Sequence, residues 1–298
     1  MTRRMVLIAL LSFACGSAPL LAQQSQPKIT MVPVAGPVHM LTGGGGNIGV
    51  VADPAGMLMI DAPEDPATEA FRAAVRSLPG GDRVRILVNT HWHGDHTDGN
   101  KAFGPGAAII AHESVRPLLA AEQTILGERT KALPADALPD ITYSDHLTVY
   151  AGGQTIRLVH YPHAHTGGDT VVFFDSLKVV HTGDMLFNGM FPFLDVDKGG
   201  DIDGWVGQLD AILRELPADA KVIPGHGPLA GPAELKAFRD MLHDSAETVR
   251  AKMKEGKTLP RIQSEGLPER FAPWSKGYLS TPQWLELVYR SLEKQKQP

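Results

Sequence analysis

Three imidazoles and a carboxylate fall within six consecutive positions of this chain, His91-Trp92-His93-Gly94-Asp95-His96. In an extended segment alternate side chains point the same way, so His91 and His93 can offer their rings to one cation. Asp95 and His96 then turn off in another direction and can hold a second cation beside the first. Three further candidate ligands follow at long range, His165, Asp184 and His226. The only cysteine is Cys15, so thiolate ligands and thiol catalysis are excluded beyond the first few residues, and any metal is held by imidazole and carboxylate. The pattern indicates a metal site, and one with room for two ions.

Ligands so far apart in sequence need rigid elements to bring them together. Apolar runs predict strands at 29–34, 38–41, 48–52, 57–60, 84–88 and 107–111, with helices at 67–78 and 114–122. Pro33 marks the first strand as an edge, because proline cannot donate to a ladder. Asp53-Pro54-Ala55-Gly56 is a turn between two strands, and Pro79-Gly80-Gly81 ends the first helix. After a proline-rich stretch at 133–139, strands are expected at 147–150, 155–161, 171–174, 179–181 and 222–223. Helices are expected at 205–216, 233–254 and 283–293. Strands followed by helices, twice over, predict an α/β fold of two sheets packed face to face with helices on both outer sides, an αββα sandwich. Every candidate ligand then lies just past a strand end, in loops along one edge, which is how a rigid sheet positions a site.

Arg3 and Arg4, the apolar residues 5–13 and Leu20-Leu21-Ala22 before Gln23 read as a cleaved export signal over residues 1–22. The apolar stretch is too short for a good membrane span. General-secretory, twin-arginine and lipoprotein forms of the signal all have some support, and each places the protein in the periplasm or outside the cell. Residues 23–298 are expected to form a single domain, with a core at about 28–232 and a helical extension at about 233–298. A chain with 43% hydrophobic residues can build so large a core. Its formal net charge of −5 and the lack of a basic run argue against nucleic acid or anionic membranes as partners, and leave a small-molecule substrate.

The motifs resemble those of the metallo-β-lactamase superfamily, in the expected order and over essentially all of residues 23–298. Asp61 in Met59-Ile60-Asp61-Ala62-Pro63 matches the family's strand-end acid, and residues 91–96 match its signature loop. His165 stands in Pro162-His163-Ala164-His165-Thr166-Gly167-Gly168-Asp169, Asp184 in His181-Thr182-Gly183-Asp184, and His226 in Pro224-Gly225-His226-Gly227-Pro228. The resemblance implies that His91, His93 and His165 bind one zinc, that Asp95, His96 and His226 bind the other, and that Asp184 bridges. It also implies two zinc ions per chain, with iron or manganese as alternatives. Such a pair, roughly 3.5–4 Å apart, shares a hydroxide with a pKa of about 7, a nucleophile for the carbonyl of an ester, thioester, lactone or β-lactam. Asp95 is then placed to orient that nucleophile and receive its proton.

Departures from the β-lactamases bear on the substrate. One subclass carries cysteine where this chain has Asp184, often with lysine three residues on, where Phe187 stands here. With Asp184 the ligand set looks more like glyoxalase II and lactonases. Alternatives are β-lactamase activity as the main role, and a mononuclear iron oxygenase of the same fold. His163 and His181 lie two or three residues from a ligand and, with Asp61, are read as groups that hold ligands in place. Asp98 and Asn100 read as helix-start residues. The run from Met185 to Phe193 reads either as core or as an apolar wall of the substrate pocket. Gly44-x-Gly46-x-x-Gly49 precedes a strand rather than opening a helix, so it is a loop near the site and not a dinucleotide motif.

Overall fold

The computed structural model of the protein describes residues 28–125 and 127–296. The export signal expected at 1–22 and Cys15 lie outside the described residues. An antiparallel meander opens the chain, with β1 (Thr30–Ala35), β2 (Val38–Thr42), β3 (Ile48–Val51) and β4 (Met57–Ile60). Helix α1 (Thr68–Val75) crosses over to β5 (Val84–Val88), which runs parallel to β4. Two single-turn helices, α2 (Gly94–Thr97) and α3 (Asn100–Phe103), lead to β6 (Ala108–His112). After α4 (Val115–Leu119) and a small hairpin of β7 (Gln123–Ile125) and β8 (Glu128–Thr130), β9 (Ile141–Tyr143) joins β6 and completes a seven-stranded sheet.

The second sheet has five strands, β10 (His146–Ala151), β11 (Gln154–Tyr161), β12 (Asp169–Phe174), β13 (Val179–His181) and β14 (Lys221–Ile223). It is antiparallel until β14, which pairs parallel to β13 after the crossover helix α5 (Ile202–Glu215). Helices α6 (Pro232–Lys254), α7 (Leu259–Glu265) and α8 (Thr281–Lys294) end the chain.

Strand β4 shows how the layers form. All four of its residues are buried, and they alternate between two cores as a period of two demands. Leu58 and Ile60 face the second sheet, packing with Ile156, Leu158, Val172 and Phe174. Met57 and Met59 face outward onto Phe71 and Val75 of α1. On the far side, Trp205 and Leu209 of α5, Phe238 of α6 and Trp284 of α8 cover the second sheet. Burying each such side chain contributes about 1.5–3 kcal/mol, so the helices on both faces are held mainly by these contacts. The result is the expected αββα sandwich. Among the described residues no helix is long and apolar enough to cross a membrane.

Helix boundaries follow local chemistry. Asp201 caps α5 by accepting from the Gly204 amide at 2.8 Å, while Ile202, Trp205, Leu209 and Ile212 line one buried face. The helix expected at 114–122 stops at Leu119, whose carbonyl accepts instead from the Leu133 amide at 2.8 Å. Released from the helix, the chain turns back through Gly127 at φ 85 to form the hairpin of β7 and β8, which sequence patterning does not reveal.

Candidate metal centre

Five strand ends deliver the candidate ligands to one edge of the sandwich. Asp61 follows β4, residues 91–96 follow β5, His165 follows β11, Asp184 follows β13 and His226 follows β14. Donor atoms of His91, His93, His165 and Asp184 lie within 4.8 Å of one another, as do those of Asp95, His96 and His226. Asp184 stands where the groups meet. Its Oδ2 lies 3.7 Å from His91 Nε2 and 3.4 Å from His165 Nε2, and its Oδ1 lies 3.0 Å from His96 Nε2. His226 Nε2 is 3.4 Å from Asp184 Oδ2 and 3.2 Å from Asp95 Oδ2.

In the first group, the outer nitrogen of each ring is committed to an acceptor. His165 Nδ1 donates to the Phe193 carbonyl at 2.8 Å, and His93 Nε2 donates to Asp195 Oδ2 at 3.1 Å. Thr90 Oγ1 gives its own proton to Asp61 at 2.8 Å, so it accepts from His91 Nδ1 at 3.0 Å. The inner nitrogens therefore carry lone pairs. They nevertheless face one another, with His93 Nδ1 3.0 Å from both His91 Nε2 and His165 Nε2. Burial drives the His165 pKa down to about 4 and that of His91 well below the ordinary value, so both rings are neutral donors. Lone pairs at this separation repel unless a cation lies among them, and neutral imidazoles are the ligands zinc takes.

The second group is short of a cation by charge. Burial alone would depress His96, yet Asp184, Asp95 and Asp61 push its pKa well above the usual imidazole range. His226 is part-exposed at the cavity, and against the desolvation that would lower it Asp184 and Asp95 raise its pKa to about 9. Against the burial that would raise it, His96 and His226 hold the Asp184 carboxyl well below its usual range. Its Oδ1 is sealed from solvent without a hydrogen-bond donor in good geometry. A buried carboxylate oxygen left in this state fits a metal. The donor set thus fits two divalent ions.

Supporting contacts divide the remaining candidates. Asp61, at a left-handed φ of 63, accepts from the Thr90 amide at 2.7 Å and from His96 Nδ1 at 2.8 Å, tying β4 to the ligand loop. His181 is buried behind the site and accepts from the Gly183 amide at 3.1 Å, which leaves the ring proton on Nε2. His163 differs from expectation. It is exposed, at a φ of 54, and is not one of the grouped donor residues. The positive φ at 163 turns its side chain away while the chain doubles back to place His165.

Asn100 starts α3, as expected, although its side chain does not cap the helix. It exchanges hydrogen bonds with Asn89 at 3.0 and 2.8 Å, bracing the loop between them. Asp98 ends α2 and lines the cavity above the donor groups. Both readings of the 185–193 run hold in part, since Met185, Leu186, Phe187 and Phe191 are core while Phe193 faces the cavity. Gly46 fits its loop because a Cβ there would overlap the His96 ring. Thr90, Asp195 and Tyr278 were not anticipated. Thr90 adjoins the motif, but nothing in sequence separates Asp195 from Asp197 or lifts Tyr278 out of the extension.

Known proteins resemble this chain in sequence and in fold. The chain is 28% identical over 176 residues to the 2,4-dinitroanisole O-demethylase subunit alpha of Nocardioides sp. (strain JS1661), covering 58% of this chain and 51% of that protein. It is 29% identical over 147 residues to the hydroxyacylglutathione hydrolase of Halorhodospira halophila (strain DSM 244 / SL1), covering 48% of each. The chain thus spans about half the length of the curated relatives it matches. Among solved structures, a double mutant of the sec-alkyl sulfatase PisA1 superposes with a TM-score of 0.69 at 18% identity, over 89% of this chain and 50% of that one, a likeness of fold. The family model for the metallo-beta-lactamase superfamily matches residues 41–227, a segment that holds all seven donor residues. With its αββα sandwich and a hydrolase-like, binuclear-type ligand set, the chain belongs to the metallo-beta-lactamase superfamily.

Proposed function

We propose that the protein is a dinuclear zinc hydrolase that cleaves an ester, thioester or lactone. The observation that carries this reading is the Asp184 carboxylate, buried between the two donor groups and within 3.0–3.7 Å of His96, His91 and His165. His91, His93 and His165 would hold one ion, Asp95, His96 and His226 the other, and Asp184 both. When bound, two divalent ions supply Lewis-acid polarisation of a carbonyl and a water acidic enough to react near neutral pH, with a pKa of about 7.

The chain's own residues do the rest. Asp95 is part-exposed at the cavity floor, and its carboxyl is held well below the ordinary range, against burial, by His96 and His226. It therefore stays ionised and accepts a hydrogen bond from the attacking water, which orients it. Phe193 and Tyr278 line one side of the cavity with aromatic surface. Export through residues 1–22 belongs to the same proposal.

Elemental analysis of the purified protein, run beside hydrolysis of a chromogenic cephalosporin, a lactone panel and a thioester, tests this reading. About two zinc ions per chain with turnover of a lactone, ester or thioester is the expected result. One iron per chain and no turnover would overturn it in favour of an oxygenase, and a preference for the cephalosporin would make it a β-lactamase.

A further inference from the structure

The cavity over the centre encloses about 670 Å³, and its floor includes Asp95, Asp184 and His226. Its described walls hold no lysine or arginine, but they add three carboxylates, those of Glu64, Asp98 and Glu128. Of the basic groups near those segments, Lys131 lines a neighbouring depression with Asp98 and is not part of this cavity's wall, and three others are paired elsewhere. Lys101 pairs with Asp65 at 2.7 Å, Arg129 with Glu122, and Arg290 with Asp197 at 2.8 Å. The four positive charges of two divalent ions would be met by Asp95 and Asp184, and close behind them by Asp61 and Asp195. The loaded centre is then nearly neutral, and the wall carboxylates set the sign of the field a substrate enters.

The apolar part of the wall is Ile125 and two aromatic rings. The Phe193 ring lies 5.4 Å from His93, and the Tyr278 ring lies 6.3 Å from His226. The Phe193 amide donates to the Tyr278 hydroxyl at 3.0 Å, which fixes the phenol while 52% of the side chain stays exposed. A large ring held at its polar end with an open face is a preformed stacking surface. Tyr278 comes from the extension, beyond the segment matched by the family model, so this surface is not given by the ligand motifs.

We propose, resting on the hydrolase reading, that the site selects against anions: its substrate is an uncharged or cationic acyl compound whose aryl or other apolar group lies on Phe193 and Tyr278. A carboxylate beside the scissile bond meets Glu64, Asp98 and Glu128, with no lysine or arginine among the described wall residues to offset them. Glutathione thioesters and β-lactams, which carry such carboxylates, are poor fits.

The test uses the zinc-loaded protein and three 4-nitrophenyl esters of matched length: valerate, the glutarate half-ester and 4-(trimethylammonio)butyrate. The kcat/KM for the anionic half-ester should fall about tenfold or more below the neutral ester, and added salt should narrow the gap. Glu64→Gln with Glu128→Gln, both at exposed positions, should raise the anionic-to-neutral ratio about fivefold. Tyr278→Ala should raise KM for 4-nitrophenyl valerate more than for ethyl valerate. Calorimetric affinities of the three corresponding anilides, which resist cleavage, should follow the same charge order. Equal or better handling of the anion by both readouts overturns the proposal. Absence of ester turnover would sink the hydrolase reading alone, because the anilide affinities still decide the charge preference.

Discussion

Two buried histidine clusters in this molecule share their electrostatics and differ in geometry. Burial lowers His165 in the metal centre and His160 in a pair with His112 to about 4 alike. In the centre the rings of His91, His93 and His165 meet edge to face, 4.7–4.8 Å apart at 83–87°, and their inner nitrogens converge. His112 and His160 instead stack at 3.6 Å and 14°, and their Nδ1 atoms point apart, towards the Ser114 hydroxyl and the Asp169 carbonyl. A depressed histidine pKa therefore does not mark a metal site. The direction of the lone pairs does, and it is set by what the outer nitrogen of each ring is bonded to.

The sharpest way to break the contrast is to remove the group on which the centre converges. Asp184→Ala should lower metal content towards one ion and reduce kcat/KM by about a thousandfold or more. Two ions still bound tightly in this variant would refute a bridging role. A smaller effect is expected at Asp195, which holds His93 Nε2 at 3.1 Å and so aims Nδ1 inward. Asp195→Asn should weaken zinc binding about tenfold to a hundredfold, read by competition with a chromogenic chelator. An unchanged affinity would mean that packing against Trp92 and Phe193 already fixes the ring.

The ligands were legible because they sit in short motifs at strand ends, where apolar runs and turn residues mark both the element and its exit. The αββα layering was legible for the same reason, since the short apolar runs Met57–Ile60 and Val84–Val88, bounded by turn residues, read as strands. What escaped depends on contacts between distant segments. Asp195 acts through a ring 102 residues away, and Tyr278 reaches Phe193 across 85 residues. The hairpin at 123–130 exists because Leu133, rather than the next helical turn, takes the Leu119 carbonyl. Spacing alone sets His163 beside the candidate ligands, because it cannot foresee a left-handed backbone at that position.

The stacked pair yields the smallest and most selective prediction. His160 is depressed to about 4 by burial and then by His112, and His112 is itself lowered by burial, both from an ordinary value of 6.5. Between those values the unfolded chain binds protons that the folded pair refuses. The pair's contribution to stability is thus complete above pH 6.5 and is lost as the pH falls towards 4. His160→Phe keeps a ring over His112 and removes one of the two titrations. Thermal unfolding of the variant and its parent should therefore differ in pH dependence, with the variant's melting temperature falling less steeply below pH 6.5. Zinc content and ester turnover at neutral pH should match the parent's, because neither nitrogen of His160 faces a ligand. A variant that loses metal would join the two clusters into one functional unit, and parallel melting curves would mean that His160 accepts its proton as readily in the fold as outside it.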